Sequence, residues 1–208
     1  MIEIINLYKQ YGKETILDNI SIKLEGNAIY GLIGANGCGK TTLLRCICGL
    51  SRATKGKIIV MGKEIGVDVD FSPSTGIIIE TPGFIPNIDA KKNLTLLASI
   101  SGKIKKEHIS EMLSLVGLDP NDKTPICNYS LGMRQRLGLA QALMEDPRIL
   151  LLDEPFNGLD NNGQKQIRLL LRKEKERGKL IIMTSHQYND LIGFCDQILK
   201  MEAGKLIT

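Results

Sequence analysis

The sequence predicts an α/β fold, and three observations carry that prediction. Short apolar runs recur at 28–33, 76–80, 148–154 and 179–184, and the later three end on polar residues, Glu80, Asp153-Glu154 and Ser185-His186. Helix-compatible segments alternate with these runs, as expected where helices cover a largely parallel sheet. Between the first run and a helix lies Gly34-Ala35-Asn36-Gly37-Cys38-Gly39-Lys40-Thr41, the pattern G-x-x-x-x-G-K-[ST] in a strand–loop–helix setting.

That loop points to a nucleoside triphosphate. Its glycines let backbone N–H groups turn inward and approach a polyphosphate where a Cβ would obstruct them. The following helix offers its positive N-terminus to the same anion. Gly34, Asn36, Gly37, Cys38, Gly39, Lys40, Thr41 and Thr42 are therefore the expected polyphosphate contacts. Lys40 reaches the β- and γ-phosphates, and the Thr41 hydroxyl is suited to Mg²⁺.

The whole chain bounds the problem. A length of 208 residues predicts one globular domain over 1–208, long enough for a sizeable core. With 43% hydrophobic and 24% charged residues the composition is that of a soluble protein, and a scattered net charge of +4 gives no footprint for nucleic acid. Lys103, Lys105 and Lys106, and the run 172–177, are expected on solvated helix faces. Met1-Ile2-Glu3 leads directly into a strand-like run without a signal pattern, and no apolar stretch has membrane-spanning length. Membrane work is thus expected of another chain. The five cysteines lack zinc-type pairs and suit reduced cytosolic thiols. Cys46 and Cys48 are expected in packing. Cys38, beside a helix terminus, is a candidate reactive thiol that ATP would protect.

Taken in order, residues 2–8 and 16–24 read as strands around a turn at Gly12-Lys13-Glu14. Tyr11, just before the turn, can stack on a base or serve as a structural tyrosine. Ala28–Ile33 is a buried strand, Lys57–Met61 another, and Gly76–Glu80 a short central strand ending in a carboxylate. Thr81-Pro82-Gly83 then breaks the pattern, and helical segments near 89–100, 105–116 and 130–145 suggest a helical subdomain, about 82–146, inserted in the α/β core. The run 148–152 leads to Asp153-Glu154. Two adjacent carboxylates at a strand end repel each other, so they ask for a cation. Asp153 suits the Mg²⁺ shell. Side chains alternate along a strand, so Glu154 is free to orient and deprotonate an attacking water, although an acid pair also caps helices. After the turn 157–160, a helix runs to about Arg177 and stops at Gly178. The next strand ends at Ser185-His186, where the histidine is placed for a γ-phosphate contact. Residues 196–201 and 205–208 look like a closing hairpin.

Asn128-Tyr129-Ser130-Leu131-Gly132-Met133-Arg134-Gln135-Arg136 alone is a capped helix start. Between the helical region and Asp153-Glu154 it resembles the signature motif of ABC-type ATPases, and the resemblance covers nearly the whole chain in order. It implies a phosphate-loop NTPase fold of ABC type: a mixed-sheet core, an N-terminal antiparallel β subdomain and the inserted helical subdomain. It further implies a head-to-tail pair of ATP-binding subunits, with ATP between the phosphate loop of one and Ser130 and Gly132 of the other. Tyr11 would stack on adenine, Glu80 would occupy the lid-loop position near Mg²⁺, Glu154 would polarise water, His186 would hold it, and Asp160 would link the two sites.

Two positions depart from the common pattern. The lid loop carries Glu80 where Gln is usual, and the signature reads Ser130-Leu131-Gly132-Met133 where Ser-Gly-Gly-Gln is usual. Both variants look like the subunits that export bacitracin and lantibiotics or give immunity to them. The resemblance therefore implies an exporter ATPase, cytoplasmic and peripheral on the inner membrane face, working with a separate permease that docks near 82–110. The rival is a soluble ABC-type ATPase that acts as a mechanical module without a permease.

Overall fold

The computed structural model describes every residue except Thr81, Pro82, Lys103, Lys105 and Thr208, and not the side chains of Ser101 and Lys106. Its elements are β1 (Ile2–Tyr11), β2 (Glu14–Leu24), β3 (Ala28–Ile33), α1 (Lys40–Cys48), β4 (Lys55–Val60), β5 (Lys63–Glu64) and β6 (Thr75–Ile78). They continue with α2 (Ala90–Ser101), α3 (Lys106–Leu115), α4 (Leu131–Leu143), β7 (Ile149–Leu152), α5 (Asn161–Glu176), β8 (Leu180–Ser185), β9 (Gln197–Glu202) and β10 (Lys205–Ile207). One sheet is antiparallel, in the order β2-β1-β4-β5. The other runs β10-β9-β3-β8-β7-β6, parallel from β9 to β6 with β10 antiparallel at its edge.

The parallel strands read as continuous apolar runs because both faces are covered. Every residue of β7 and β8 is buried. Alternate side chains then enter different cores. Ile149, Leu151, Leu180, Ile182 and Leu32 join α1 and the antiparallel sheet. Leu150, Leu152, Ile181, Met183 and Ile29 join α4, α5 and the helical region. The period of two along a strand thus connects two hydrophobic cores through one sheet.

The register decides where the chemistry goes. Ile33 pairs with Ser185, Leu152 with Met183 and Ile78 with Leu152. Parallel strands in this register end together, so Gly34, Asp153, Ser185 and the segment after β6 leave the sheet at one edge.

Helix starts follow the expected capping chemistry in three cases. The side chains of Asp89, Ser130 and Asp160 accept from the backbone N–H of Lys92, Met133 and Gly163. α1 is different: Gly39 at its N-cap has φ +108° and offers no side-chain cap. The orphan N–H groups at the start of α1 thus receive no cap from the N-cap residue.

Several boundaries differ from the sequence pattern. The first hairpin is longer than 2–8 and 16–24, because Gly12 at φ +59° permits a tight turn directly after Tyr11. β4 begins at Lys55 and stops at Val60, where Met61 turns to φ +51°. β6 ends at Ile78 rather than Glu80, since Glu80 at φ +59° has left the ladder. The charged run 172–177 is not wholly solvated. Glu174 is buried and bonded to Lys179 at 3.0 Å, each side chain 6% exposed, and Lys179 also reaches Asp146 at 2.6 Å. A buried pair of this kind fixes how the end of α5 meets β8 more than it adds net stability. Of the lysines expected on solvated faces, Lys103 and Lys105 lie outside the described residues.

Gly76 in β6 faces the carbonyl of Ala142 at the end of α4, which a Cβ would strike. The obstacle is backbone and cannot rotate away. Gly76→Ala is expected to destabilise the fold by about 1–3 kcal/mol, read as a lowered urea midpoint with an unchanged m-value.

Candidate nucleotide site

An open cavity of about 430 Å³ lies where the strand ends converge, lined by Tyr11, Glu14, Ile16, Asn36, Gly37, Gly39–Thr42, Asp153 and Glu154. A larger groove of about 870 Å³ runs between β2 and the β9–β10 hairpin. Lys40, Asp153 and Glu154 line the smaller cavity and not that groove, so the smaller cavity is the chemical site; His186 lines neither and reaches the site through Glu154.

The loop is shaped by its glycines. Gly37 has φ +79° with nothing within 4 Å of a built Cβ, so its backbone turn rather than crowding demands glycine. Gly34 is constrained by space instead, because a Cβ would meet the Met201 carbonyl and, at 2.6 Å, the Cys38 sulfur. That contact also corrects the expectation for Cys38. Its side chain is 8% exposed, packs behind the loop and does not line the cavity, so the loop offers its backbone and not a reactive thiol. Cys46 is buried in packing, as expected, and burial pushes its thiol up to about 11.

Lys40 is 7% exposed, and its ammonium donates to the carbonyls of Gly34 at 2.7 Å and Ala35 at 3.1 Å. The charge is thereby held over the loop. The Thr41 hydroxyl donates to Asp153 Oδ2 at 2.7 Å, and the Thr184 hydroxyl donates to Oδ1 at 2.6 Å. One hydroxyl and one carboxylate are hard oxygen donors of the sort Mg²⁺ takes. Among the described residues no cluster of three or more His, Cys, Asp or Glu side chains could hold a metal alone. This donor set fits Mg²⁺, which Thr41 and Asp153 would hold.

Glu154 sits at φ +50°, an uncommon conformation for a residue with a Cβ. Three contacts fix it. Its N–H donates to Thr184 Oγ1 at 2.9 Å, its carbonyl accepts from Gln135 Nε2 of α4 at 3.3 Å, and its Oε2 lies 3.0 Å from His186 Nδ1. The left-handed turn directs the Glu154 carboxylate toward His186 while Asp153 points to Thr41. Thr184, fully buried, serves both acids through one hydroxyl. In the sequence it reads only as the last residue of an apolar run, where a threonine is common and carries no motif.

The remaining predicted residues divide. Tyr11 borders the cavity, half-exposed, with Lys9 Nζ 4.5 Å above its ring and its hydroxyl 3.1 Å from Ser51 Oγ. Thr42 also lines the cavity. Glu80 does not join Thr41 and Asp153. Its carboxylate pairs with Arg45 of α1 at 2.8 Å, a guanidinium that competes for it. Ser130 and Gly132 lie outside this cavity in the same chain. They form the start of α4, where a Cβ on Gly132 would come within 2.6 Å of the Gly158 carbonyl.

Comparison with known proteins decides the family. The family model described as ABC transporter matches residues 17–157. The chain belongs to the ABC transporter family. This ATPase cassette is 45% identical over 208 residues to the uncharacterized ABC transporter ATP-binding protein YybJ of Bacillus subtilis (strain 168), covering 100% of this chain and 95% of that one. It is 39% identical to the bacitracin transport ATP-binding protein BcrA of Enterococcus faecalis, covering 100% of the cassette and 68% of BcrA. It is 38% identical to the lantibiotic transport ATP-binding protein SrtF of Streptococcus pyogenes, with 100% and 89% covered. Its fold matches the dimeric structure of the bacterial ABC transporter cassette MJ0796 with a TM-score of 0.90 at 24% identity, covering 100% and 97% of the two chains. Among the described residues of the cassette, no helix is long and apolar enough to cross a membrane.

Thr184→Val keeps the shape and removes the shared hydroxyl. It leaves a buried Asp153 oxygen and the Glu154 N–H with one partner fewer, so a stability loss of about 1–3 kcal/mol is expected. Turnover is expected to fall more than ATP affinity does, checked by steady-state kinetics beside equilibrium binding of a fluorescent ATP analogue.

Proposed function

We propose that this cassette hydrolyses ATP to drive a separate membrane permease that exports peptide antibiotics or similar amphipathic compounds. The observation that carries the hydrolytic part is the pairing of Thr41 with Asp153 beside the pairing of Glu154 with His186, all at one edge of the sheet. The identity to BcrA and SrtF over the full chain supports the export of such compounds.

In this reading Tyr11 stacks on the base, and the loop N–H groups and Lys40 hold the triphosphate. Gly34, Asn36, Gly37, Cys38, Gly39 and Thr42 contribute through backbone placement and, for Asn36 and Thr42, side chains at the cavity wall. Thr41 and Asp153 would hold Mg²⁺, which offsets phosphate charge and polarises the phosphoryl oxygens. Glu154 accepts the proton of a water that attacks the γ-phosphorus, and the bond to the bridging oxygen breaks. His186, held 3.0 Å from that carboxylate, keeps the water and the γ-phosphoryl group together. Ser130 and Gly132 complete the site of a second subunit in a head-to-tail pair, and Asp160 links the two sites. A γ-phosphate that bridges two surfaces favours closure, and its loss removes that differential contact. The permease meets the region 82–110 at the inner face of the membrane, and the cassette remains peripheral and cytoplasmic.

Glu154→Gln is expected to bind ATP while turnover falls by about 100-fold or more. Tagged Glu154→Gln protein, captured with ATP from gently solubilised native membranes, should bring a polytopic membrane protein with it. Soluble partners alone, from a preparation that dimerises with ATP, would transfer the assignment to a mechanical ATPase without a permease.

Glu80→Gln releases Arg45 from its partner but preserves the size of the side chain. ATP affinity should stay within about threefold, since an exposed pair contributes little. Permease-coupled turnover should change, and identical coupled rates in reconstituted vesicles would sink this role for Glu80.

A further inference from the structure

Glu154 and His186 leave the sheet on different loops, after β7 and β8; Thr184 of β8 holds the Glu154 backbone and the two side chains meet at 3.0 Å, and farther from the sheet the loops are joined again. One side chain touches both loops. Arg168, on the third turn of α5, places its guanidinium carbon 4.3 Å from the ring centre of Phe156, two residues after Glu154. The same group lies 5.0 Å from the ring of Phe194, and the two rings meet edge to face at 5.8 Å. Its Nη1 donates to the Asp190 carbonyl at 2.7 Å, and its Nη2 is 3.8 Å from Asp190 Oδ1.

Asp190 carries the connection to His186. Its Oδ2 accepts from the Ser185 hydroxyl at 2.8 Å, and Ser185 Oγ in turn accepts from the Gln187 N–H at 2.9 Å. Ser185 is 1% exposed, so this hydroxyl has no solvent alternative. The backbone on both sides of His186 is thereby fixed through Ser185, Asp190 and Arg168. Arg172 lies farther out, 5.6 Å from the Phe194 ring with its Nη2 on the Gly193 carbonyl.

A guanidinium between two buried rings is costly where a leucine or methionine would pack without charge. What an arginine adds is a cation facing both ring surfaces together with directed donors to Asp190. We propose that Arg168 is a positioning residue that clamps the Phe156 loop to the Asp190 turn and so holds the Glu154 and His186 side chains in register for hydrolysis. The inference rests on the hydrolytic roles given above to Glu154 and His186. Arg168 contacts neither of them and acts through Phe156 and Asp190.

The test uses the full chain with Arg168→Met, which keeps the apolar stem between the rings. The chain has two histidines, so NMR resolves His186 beside His108 as an internal control. The expected result is a ring resonance of His186 that moves while His108 does not, kcat lowered by about tenfold to a hundredfold, and KM for ATP within about twofold. Asp190→Asn carries the same expectation in a milder form and decides the matter if Arg168→Met fails to fold. A kcat within about twofold of the unmodified protein, or equal disturbance of both histidines, overturns the proposal. Glu154→Gln and His186→Ala are assayed in parallel. If those two retain full turnover, the hydrolytic reading fails while the NMR result still reports on the clamp. If they lose turnover and Arg168→Met does not, only the clamp is wrong.

Discussion

Both faces of the parallel sheet are buried, and this constraint organises the molecule. A strand with a core on either side tolerates no unpaired polar side chain along its length, so β7 and β8 are buried throughout. Functional side chains can appear only where the strands leave the sheet. The register of β3, β8 and β7 places those exits together, and Lys40, Asp153, Glu154 and His186 become neighbours although they are spread over 147 positions of the chain. The price of concentrating acids at such an edge is met by hydroxyls: Thr41 and Thr184 each donate to Asp153, and Thr184 accepts from Glu154 N–H. Without those donors two adjacent carboxyl groups next to a dry core would be strongly disfavoured as charged species.

Adjacent acids on one strand would normally alternate in direction and diverge. Here the divergence is produced by a backbone turn rather than by strand pleat. Asp153 still receives its N–H partner from the ladder, with its backbone donating to Ile78 O at 2.7 Å, whereas Glu154 has moved to φ +50°. A conformation of that kind persists only when neighbours over-determine it. Thr184, Gln135 and His186 supply three such contacts from three different elements. The acid is thus held by β8, by α4 and by the loop after β8 at once.

Much of this was legible in the sequence because the signals were local. The phosphate loop, the apolar runs with polar ends and the caps at Ser130 and Asp160 need only a few consecutive residues to be recognised, and their spacing gave the strand–helix order. What was not legible depends on groups distant in sequence. Glu174 reads as one more charge in the run 172–177, and only Lys179 arriving at its side makes it a buried ion pair. Glu80 reads as a carboxylate at a strand end, yet Arg45 from α1 takes it. Cys38 reads as a thiol beside a helix terminus, but its side chain packs behind the loop at Gly34. Thr184 and Arg168 gave no motif at all, since a threonine in an apolar strand and an arginine in an amphipathic helix are common. Their roles come from what folding places against them.

The same distant contacts connect the two ends of the subunit. The start of α4 packs on the loop 157–160 so closely that a Cβ at Gly158 would run into Leu131 at 2.5 Å and one at Gly132 would reach the Gly158 carbonyl at 2.6 Å. Four residues into α4, Gln135 bonds the carbonyl of Glu154. Loop 157–160 in turn ends in Asp160, the cap of α5, which carries Arg168. In the head-to-tail pair proposed above, the Ser130 end of α4 faces the partner's triphosphate. Close-packed backbone and one amide hydrogen bond thus connect that end of α4 to the subunit's own Glu154. At Leu131, where a glycine is usual, the leucine side chain packs over Gly158 and fills space that a glycine there would leave open.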